Sequence, residues 1–342
     1  MEMDAKSSAT EWAEMTYGSV LLGDQRRRQR AVKIASALAR DPMASFPQQV
    51  REPGALKAAY RLLESPQTSY ERLMHPHLEQ TKTRMQQQQR ILLIQDLTEI
   101  DYQHHPATEG LGPVGRGNHH GYLLQTVLAV EPTSGHVLGI AAQEPFLRVL
   151  APTGETSAQR AKRKQKESEV WQRHVHRLGE VPQGCQFIQV GDRGSDIFSF
   201  LRTCLTLGYG FEVRVQHDRR VDLRVDEGEV AVPAGARRRG KQRPVGQEAP
   251  QHLFKEVRQW PQMGQQTLHL DGNHKRHERD ADLRVSWGTV RLWPPEAEAD
   301  ADEKPMRVTI VRTWEPDPPE GEEALEWMLW SEPQLPVHAH FR

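Results

Sequence analysis

The chain has 342 residues, 37% of them apolar and 27% charged, with a formal net charge of −1. That length suffices for two domains, or for one domain with a large insertion. No apolar run approaches the roughly 20 residues a membrane span needs, and the first ten residues hold no hydrophobic signal core, so a cytosolic protein that does not enter a membrane is expected.

In chain order, the first stretch from Glu11 to Ala39 reads as helical. Trp12, Met15, Val20 and Leu21 give a loose apolar pattern, and Gly23-Asp24 breaks it, with Asp24 suited to an N-cap. The next helix, from Gln25 to Ala39, gathers Ala31, Ile34, Ala35 and Leu38 on one face. Arg26, Arg27 and Arg30 lie near its start on the other side, where guanidinium groups would meet phosphates or base edges. Asp41-Pro42 ends this element and Pro53-Gly54 is a further break. Ala55 to Leu63 is a short helix with Leu56, Ala59, Tyr60 and Leu63 inward. Residues 1–70 thus read as a small helical domain, with Trp12 and Tyr60 in its core. A polar helix, His75 to Gln89, leads out of it.

Ile91-Leu92-Leu93-Ile94 reads as a fully buried strand that ends on Asp96. Gln186 to Gly191 has the same design and ends on Asp192. In an open α/β sheet the ligand crevice lies beyond the carboxyl ends of the strands. If the two strands are neighbours, Asp96 and Asp192 face one another and repel unless a cation sits between them. Oxygen ligands with no thiol or imidazole partner favour Mg²⁺ or Mn²⁺. Between these strands, Gly110 to Gly117 is a flexible loop with no phosphate-cradling motif. Tyr122–Glu131 and Val137–Ala142 complete an antiparallel meander. The His104-His105 and His119-His120 pairs are read as loop residues, because adjacent side chains diverge.

Ala158 to Gly179 is expected as a long helix with Val170, Trp171, Val175 and Leu178 inward. Ser195 or Asp196 is expected to cap the helix that follows Asp192. Phe211 to Val215 is a strand carrying Arg214 on its polar face, near Asp192 by β-α-β geometry. Both Cys185 and Cys204 read as buried, with no zinc spacing and no disulfide. From residue 217 to 325, short alternating stretches read as a β-rich insertion with an acidic loop at Glu296–Lys304. Leu325 to Trp330 resumes a buried strand, and 326–342 closes the chain. Net neutrality hides three basic clusters, at Arg26–Lys33, Arg160–Lys166 and Arg237–Arg243, a segregation that points to a nucleic acid.

Leu22-Gly23-Asp24-Gln25-Arg26-Arg27, Ala58-Ala59-Tyr60-Arg61, Ile94-Gln95-Asp96-Leu97-Thr98-Glu99, Leu111-Gly112, Gly191-Asp192-Arg193-Gly194-Ser195-Asp196-Ile197 and Glu326-Trp327-Met328-Leu329 follow in a set order. That series resembles the IS4 group of DDE transposases, most closely its Tn5-like members, over essentially the whole chain. The resemblance implies an RNase H-like mixed-sheet core over 71–216, a β insertion over 217–325, and a last core strand at 326–342. It also implies an N-terminal domain that binds transposon ends as double-stranded DNA during transposition.

Asp96 and Asp192 then match the first two metal-binding acids of the catalytic triad. Arg26, Arg27 and Arg30 match end-binding arginines, Arg214 a DNA-contacting basic position, and Trp327 an aromatic that supports a flipped base. The family's third acid, a glutamate on a later helix, has no counterpart before Arg342, and its C-terminal dimerisation region is missing too. The expectation is therefore a truncated, catalytically incomplete transposase that binds one Mg²⁺ weakly and cleaves DNA very poorly, since two-metal phosphoryl transfer needs three carboxylates. The alternatives are a non-catalytic protein that occupies transposon ends and inhibits transposition, and a nuclease of unrelated fold using Asp96 and Asp192 alone.

Overall fold

Two sequence periods, 3.6 residues up to Met85 and 2 residues after Arg90, divide the chain into helices followed by a sheet with helical crossovers. The computed structural model describes residues 5–115, 117–148, 152, 154, 156, 167–223, 251–272, 277–295 and 304–332. The basic clusters at 160–166 and 237–243, the acidic run at 296–303, the start of the helix expected from 158 and the tail at 333–342 lie outside the described residues. Contacts group the chain into two units, 1–89 with 128–142, and 90–127 with 143–342.

The first unit carries α1 (Ala5–Tyr17), α2 (Gln25–Arg40), α3 (Phe46–Val50), α4 (Pro53–Leu63) and α5 (Tyr70–Met85). The Asp24 carboxylate accepts the Arg27 N–H at 2.9 Å, so the expected cap starts α2. Helix α3 was not expected. Gln48 Oε1 accepts the Ser45 N–H at 3.0 Å at its start, a capping-box contact. Pro53 opens α4 at its first turn instead of breaking the chain there.

Ala59 and Leu62 form the inward stripe of α4, which turns Tyr60 and Leu63 outward, 44% and 50% exposed. Tyr60 packs edge-on to Phe46, and Trp12, 38% exposed, packs edge-on to Tyr17. Both rings are therefore surface groups, not the core residues expected. The core is built from Val20, Leu22, Ala31 and Leu62 beside Ala13, Val32 and Ala35, with Tyr17 touching both groups. Within the same unit, Arg84 donates to the Leu138 carbonyl at 2.8 Å and His77 accepts the Ile140 N–H at 3.0 Å.

Arg51, between α3 and α4, has φ 58° and ψ −56°, and the Glu52 N–H bonds back to the Val50 carbonyl at 2.7 Å. This is a γ-turn of the strained, positive-φ kind. Arg51→Gly should raise the unfolding free energy by about 1–2 kcal/mol in urea titrations. A fall in stability would mean that the Arg51 Nε–H bond to the Gln48 carbonyl, at 3.3 Å, outweighs the strain.

Among the described residues the sheet has twelve strands: β1 (Arg90–Asp101), β2 (Gly112–Pro113), β3 (His120–Val130), β4 (Val137–Phe146), β5 (Gln186–Gly191), β6 (Gly210–Arg214), β7 (Arg220–Asp222), β8 (Gln251–His252), β9 (Gly264–Leu270), β10 (Arg279–Leu292), β11 (Met306–Trp314) and β12 (Glu326–Ser331). Their order is β2-β3-β1-β5-β6-β12-β11-β10-β7-β8, with β4 on β3 and β9 on β10. β1, β5 and β6 are parallel. Parallel neighbours need crossovers. Helix α6 (Glu169–Leu178) precedes β5, and α7 (Phe198–Thr206) joins β5 to β6.

β1 does not end on Asp96 but runs on to Asp101, and it is not fully buried. Ile91, Leu93 and Gln95 face inward while Ile94 is 37% exposed, the alternation of a strand covered more heavily on one side. The stretches of the expected insertion extend this same sheet through β11 and β10. Among the late strands, β10 runs unbroken through Gly288 for 14 residues. A Cβ at Gly288 would lie 2.9 Å from the Trp260 ring, so the glycine is where that indole lies against the strand. The short helix α8 (Leu253–Val257) follows β8 directly. Cys204 is buried as expected, whereas Cys185 is only half-buried, because it falls in the loop before β5.

Candidate functional site

The parallel register of the three central strands aligns Gln95 with Gly191 and Gly191 with Val213. Asp96, Asp192 and Arg214 each lie one residue beyond that row, on adjoining strands. Period-2 alternation puts Asp96 on the face opposite buried Gln95. Asp192 keeps an extended backbone, with φ −75° and ψ −166°. Neighbouring strands lie about 5 Å apart, so the structure brings the two carboxylates and the guanidinium to one end of the parallel sheet. Asp96 and Asp192 are both exposed, and Arg214 is half-buried.

The chain after Asp192 turns at once. Its Oδ1 accepts the Gly194 N–H at 2.8 Å, and its carbonyl accepts the Ser195 hydroxyl at 2.7 Å. A Cβ at Gly191 would lie 2.2 Å from Ser195 Oγ, so only glycine lets the strand end fold this tightly. One carboxylate oxygen of Asp192 is thereby committed and the other is left for a ligand. Among the described residues, no group of three or more His, Cys, Asp or Glu side chains is placed to hold a metal ion. The donors that are present are hard oxygens with no thiol or imidazole among them, and that chemistry fits one Mg²⁺ or Mn²⁺.

Asp196 does not cap α7. The N-cap of that helix is Ile197, with no side-chain hydrogen bond. The buried Asp196 carboxylate instead accepts the Gln216 and His217 N–H groups at 2.8 and 2.9 Å. It also accepts Arg219 Nε at 3.0 Å and the Trp330 indole N–H at 3.0 Å. Four donors from the loop after β6 and from β12 converge on one side chain, which ties the turn carrying Asp192 to two strands. No local pattern announces this, because the partners are 20 to 134 residues away.

Beneath the carboxylate end, Gln125, Gln95 and Gln189 form a buried row across β3, β1 and β5. Gln125 donates to Gln95 at 3.2 Å and Gln95 to Gln189 at 2.9 Å. Three glutamines at inward positions of otherwise apolar strands were the signal available for it in the sequence.

Trp327 lies two residues before Leu329, which is paired with Arg214. It is half-buried and packs with Leu325 against the Leu270, Ala281 and Leu283 cluster. The structure therefore places it on the β9–β10 side of the sheet, with part of its ring covered. His119 Nδ1 lies 2.7 Å from Asp101, which holds that carboxyl below its ordinary range, so this histidine is a partnered loop residue.

In the first unit, Arg26 is exposed at the start of α2. Arg27 is partly spent on the fold, donating to the Leu22 carbonyl at 3.1 Å and pairing with Asp24 at 3.2 Å. Arg30 reaches the Ala58 carbonyl at 3.5 Å. The three arginines thus share one helix but differ in how much of each guanidinium faces solvent. No helix among the described residues is long and apolar enough to cross a membrane.

Residues 9–68, which contain these arginines, match the family model described as Transposase DNA-binding. This part of the chain is related to the DNA-binding domains of transposases. Among solved structures, the cryo-EM structure of a piggyBac transposase synaptic complex with hairpin DNA is similar at 9% identity and a TM-score of 0.33. The likeness covers all of this chain and 55% of that one, so the present chain spans about half the length of that protein. So slight a likeness fixes neither the fold nor an activity.

Proposed function

We propose that the chain is a cut-and-paste DNA transposase of the DDE type. Residues 9–68 bind transposon-end duplex, and an RNase H-like core carries Asp96 and Asp192, two of the three acids that the two-metal chemistry uses. The observation that carries the reading is the alignment of Asp96, Asp192 and Arg214 one residue beyond the paired rows of three parallel strands, in a chain whose N-terminal segment matches a transposase DNA-binding family. The return of β12 to the side of β6 after β7–β11 have intervened in sequence supports the core assignment.

Asp96 and Asp192 would hold Mg²⁺ or Mn²⁺. When bound, such an ion activates a water or 3′-hydroxyl and offsets phosphate charge. Arg214 draws the phosphate backbone toward the two carboxylates, which alone would repel it. Trp327 supports an unstacked base through the exposed part of its ring. Two carboxylates cannot hold two cations roughly 3.5–4 Å apart, so the described site binds one ion weakly. One observation favours a second reading, a non-catalytic protein that occupies transposon ends: no third carboxylate joins the pair among the described residues.

The test is binding of the full chain to transposon-end duplex across a salt series, followed by cleavage in Mn²⁺. Arg26→Ala should lower the slope of log K against log salt by about 0.9. Any residual cleavage should vanish in Asp192→Asn. Cleavage that survives Asp192→Asn would remove this carboxylate from the chemistry. End binding indifferent to Arg26 and to salt would remove the N-terminal segment from the interface.

A further inference from the structure

The end of β5 carries a second cation that the reading above does not use. Arg193 follows Asp192 directly, starts the short turn Arg193–Ser195, and is exposed. Arg214 stands on the adjoining strand, one residue beyond the Gly191–Val213 pair. The two residues thus stand on either side of Asp192, one next in the chain and one on the neighbouring strand.

Several other arginines of the second unit are matched to carboxylates. Arg148 pairs with Glu99 at 2.8 Å, Arg173 with Glu144 at 2.9 Å, Arg219 with Asp196 at 3.0 Å and Arg312 with Glu326 at 2.9 Å. Among the described residues, neither Arg193 nor Arg214 has a carboxylate oxygen within 4 Å. The two sense one another: burial lowers the Arg214 pKa, the Arg193 charge lowers it further, and Asp192 acts in the opposite direction.

Two like charges this near repel, and an anion that bridges them offsets the repulsion. The charges sum in the same sense. Asp96 and Asp192 cancel Arg193 and Arg214, and a divalent ion on the carboxylates would leave two positive charges uncompensated. A planar guanidinium fork matches two phosphate oxygens, which a lysine cannot do.

We propose that Arg193 and Arg214 together form a clamp for one backbone phosphate of a bound DNA strand, beside the Asp96–Asp192 pair. This rests on the reading of the chain as a DNA-binding transposase and adds the residue that fixes the strand at the carboxylates. Arg193 supplies the outer, solvent-facing half of the clamp, and Arg214 the inner half.

The test uses the full chain, end-containing duplex and fluorescence anisotropy across a salt series, with Arg193→Gln, Arg214→Gln, the double variant and Arg26→Ala. Each single substitution at the clamp should lower the log–log salt slope by about 0.9, and the double by about twice that. Arg193→Lys should keep the slope and still lose affinity, because it retains charge without the fork. Far-UV circular dichroism checks that exposed Arg193→Gln is folded.

If both clamp variants bind as tightly as the parent with the same slope while Arg26→Ala does not, the clamp is wrong and the DNA-binding reading stands. If Arg26→Ala and the clamp variants all leave binding unchanged, the DNA-binding reading falls as well. Calorimetry with inorganic phosphate alone separates the remaining source. Loss of free-phosphate binding in Arg193→Gln, with an unchanged duplex slope, would assign the site to a small anion and overturn the proposal.

Discussion

Asp196→Ala is expected to lower the unfolding free energy by about 3–5 kcal/mol, because it breaks a buried ion pair and strands the partner charge. Arg219 is only 11% exposed at its side chain and the Asp196 side chain is fully buried. The substitution also leaves the Gln216 and His217 N–H groups and the Trp330 indole without their acceptor. Asp196→Asn keeps an acceptor oxygen and should lose less. Urea titration followed by tryptophan fluorescence measures both, and the indole of Trp330 reports the site directly. A midpoint for Asp196→Ala equal to that of the parent would show that the four donors find other acceptors. The consequence reaches the candidate site, since this carboxylate ties down the turn that presents Asp192 and Arg193.

The second large effect concerns pH. His174, on α6, is fully buried, and neither ring nitrogen has a hydrogen-bond partner. Burial pushes its pKa down to about 4, with the Arg177 and Arg173 charges acting the same way and Glu144 opposing them. A histidine whose folded pKa lies below its ordinary value stabilises the fold in its neutral form. That contribution is complete above about pH 6.5 and is lost as pH falls through 6.5 toward 4. The gap of about two and a half units corresponds to about 3 kcal/mol.

His174→Phe, which cannot be protonated, should flatten stability against pH between 6.5 and 4. A denaturant series at pH 7, 6, 5 and 4 measures this. An equally steep acid loss in His174→Phe would place the sensitivity on other groups. Glu144, which meets Arg173 at 2.9 Å and Arg177 at 2.6 Å, is present in both proteins and cancels in the comparison.

Particular residues show how far a one-dimensional reading reaches. Asp24 was recognisable as a cap because its acceptor role is settled within three residues. The helix α2 and the strands around Asp96 and Asp192 followed from local apolar periods. The adjacency of those two strands was only a conditional in the sequence, and the parallel register supplied it. Tyr60 and Trp12 lie outside the core because an aromatic in an amphipathic helix fits either face; in α4 it is Leu62, packed with Ala31 of α2, that turns inward and leaves Tyr60 exposed. Ser45–Gln48 starts a helix of five residues, too short for a periodic signal. Asp196 was taken for a cap because a turn aspartate before a helix usually is one. Arg219 and Trp330, distant in sequence, claimed it instead.

By itself, then, the sequence determined the helical segment that leads into a mixed α/β chain, the strands that carry Asp96 and lead to Asp192, and the basic start of α2. These depend on side-chain chemistry within one or two turns of chain. Only the tertiary structure decided that Asp96, Asp192, Arg193 and Arg214 share one end of the sheet, that the late strands extend that sheet, and that Asp196 anchors its central turn. Those arrangements come from strand register and from buried charges seeking partners across 20 to 134 residues, and no local pattern encodes either.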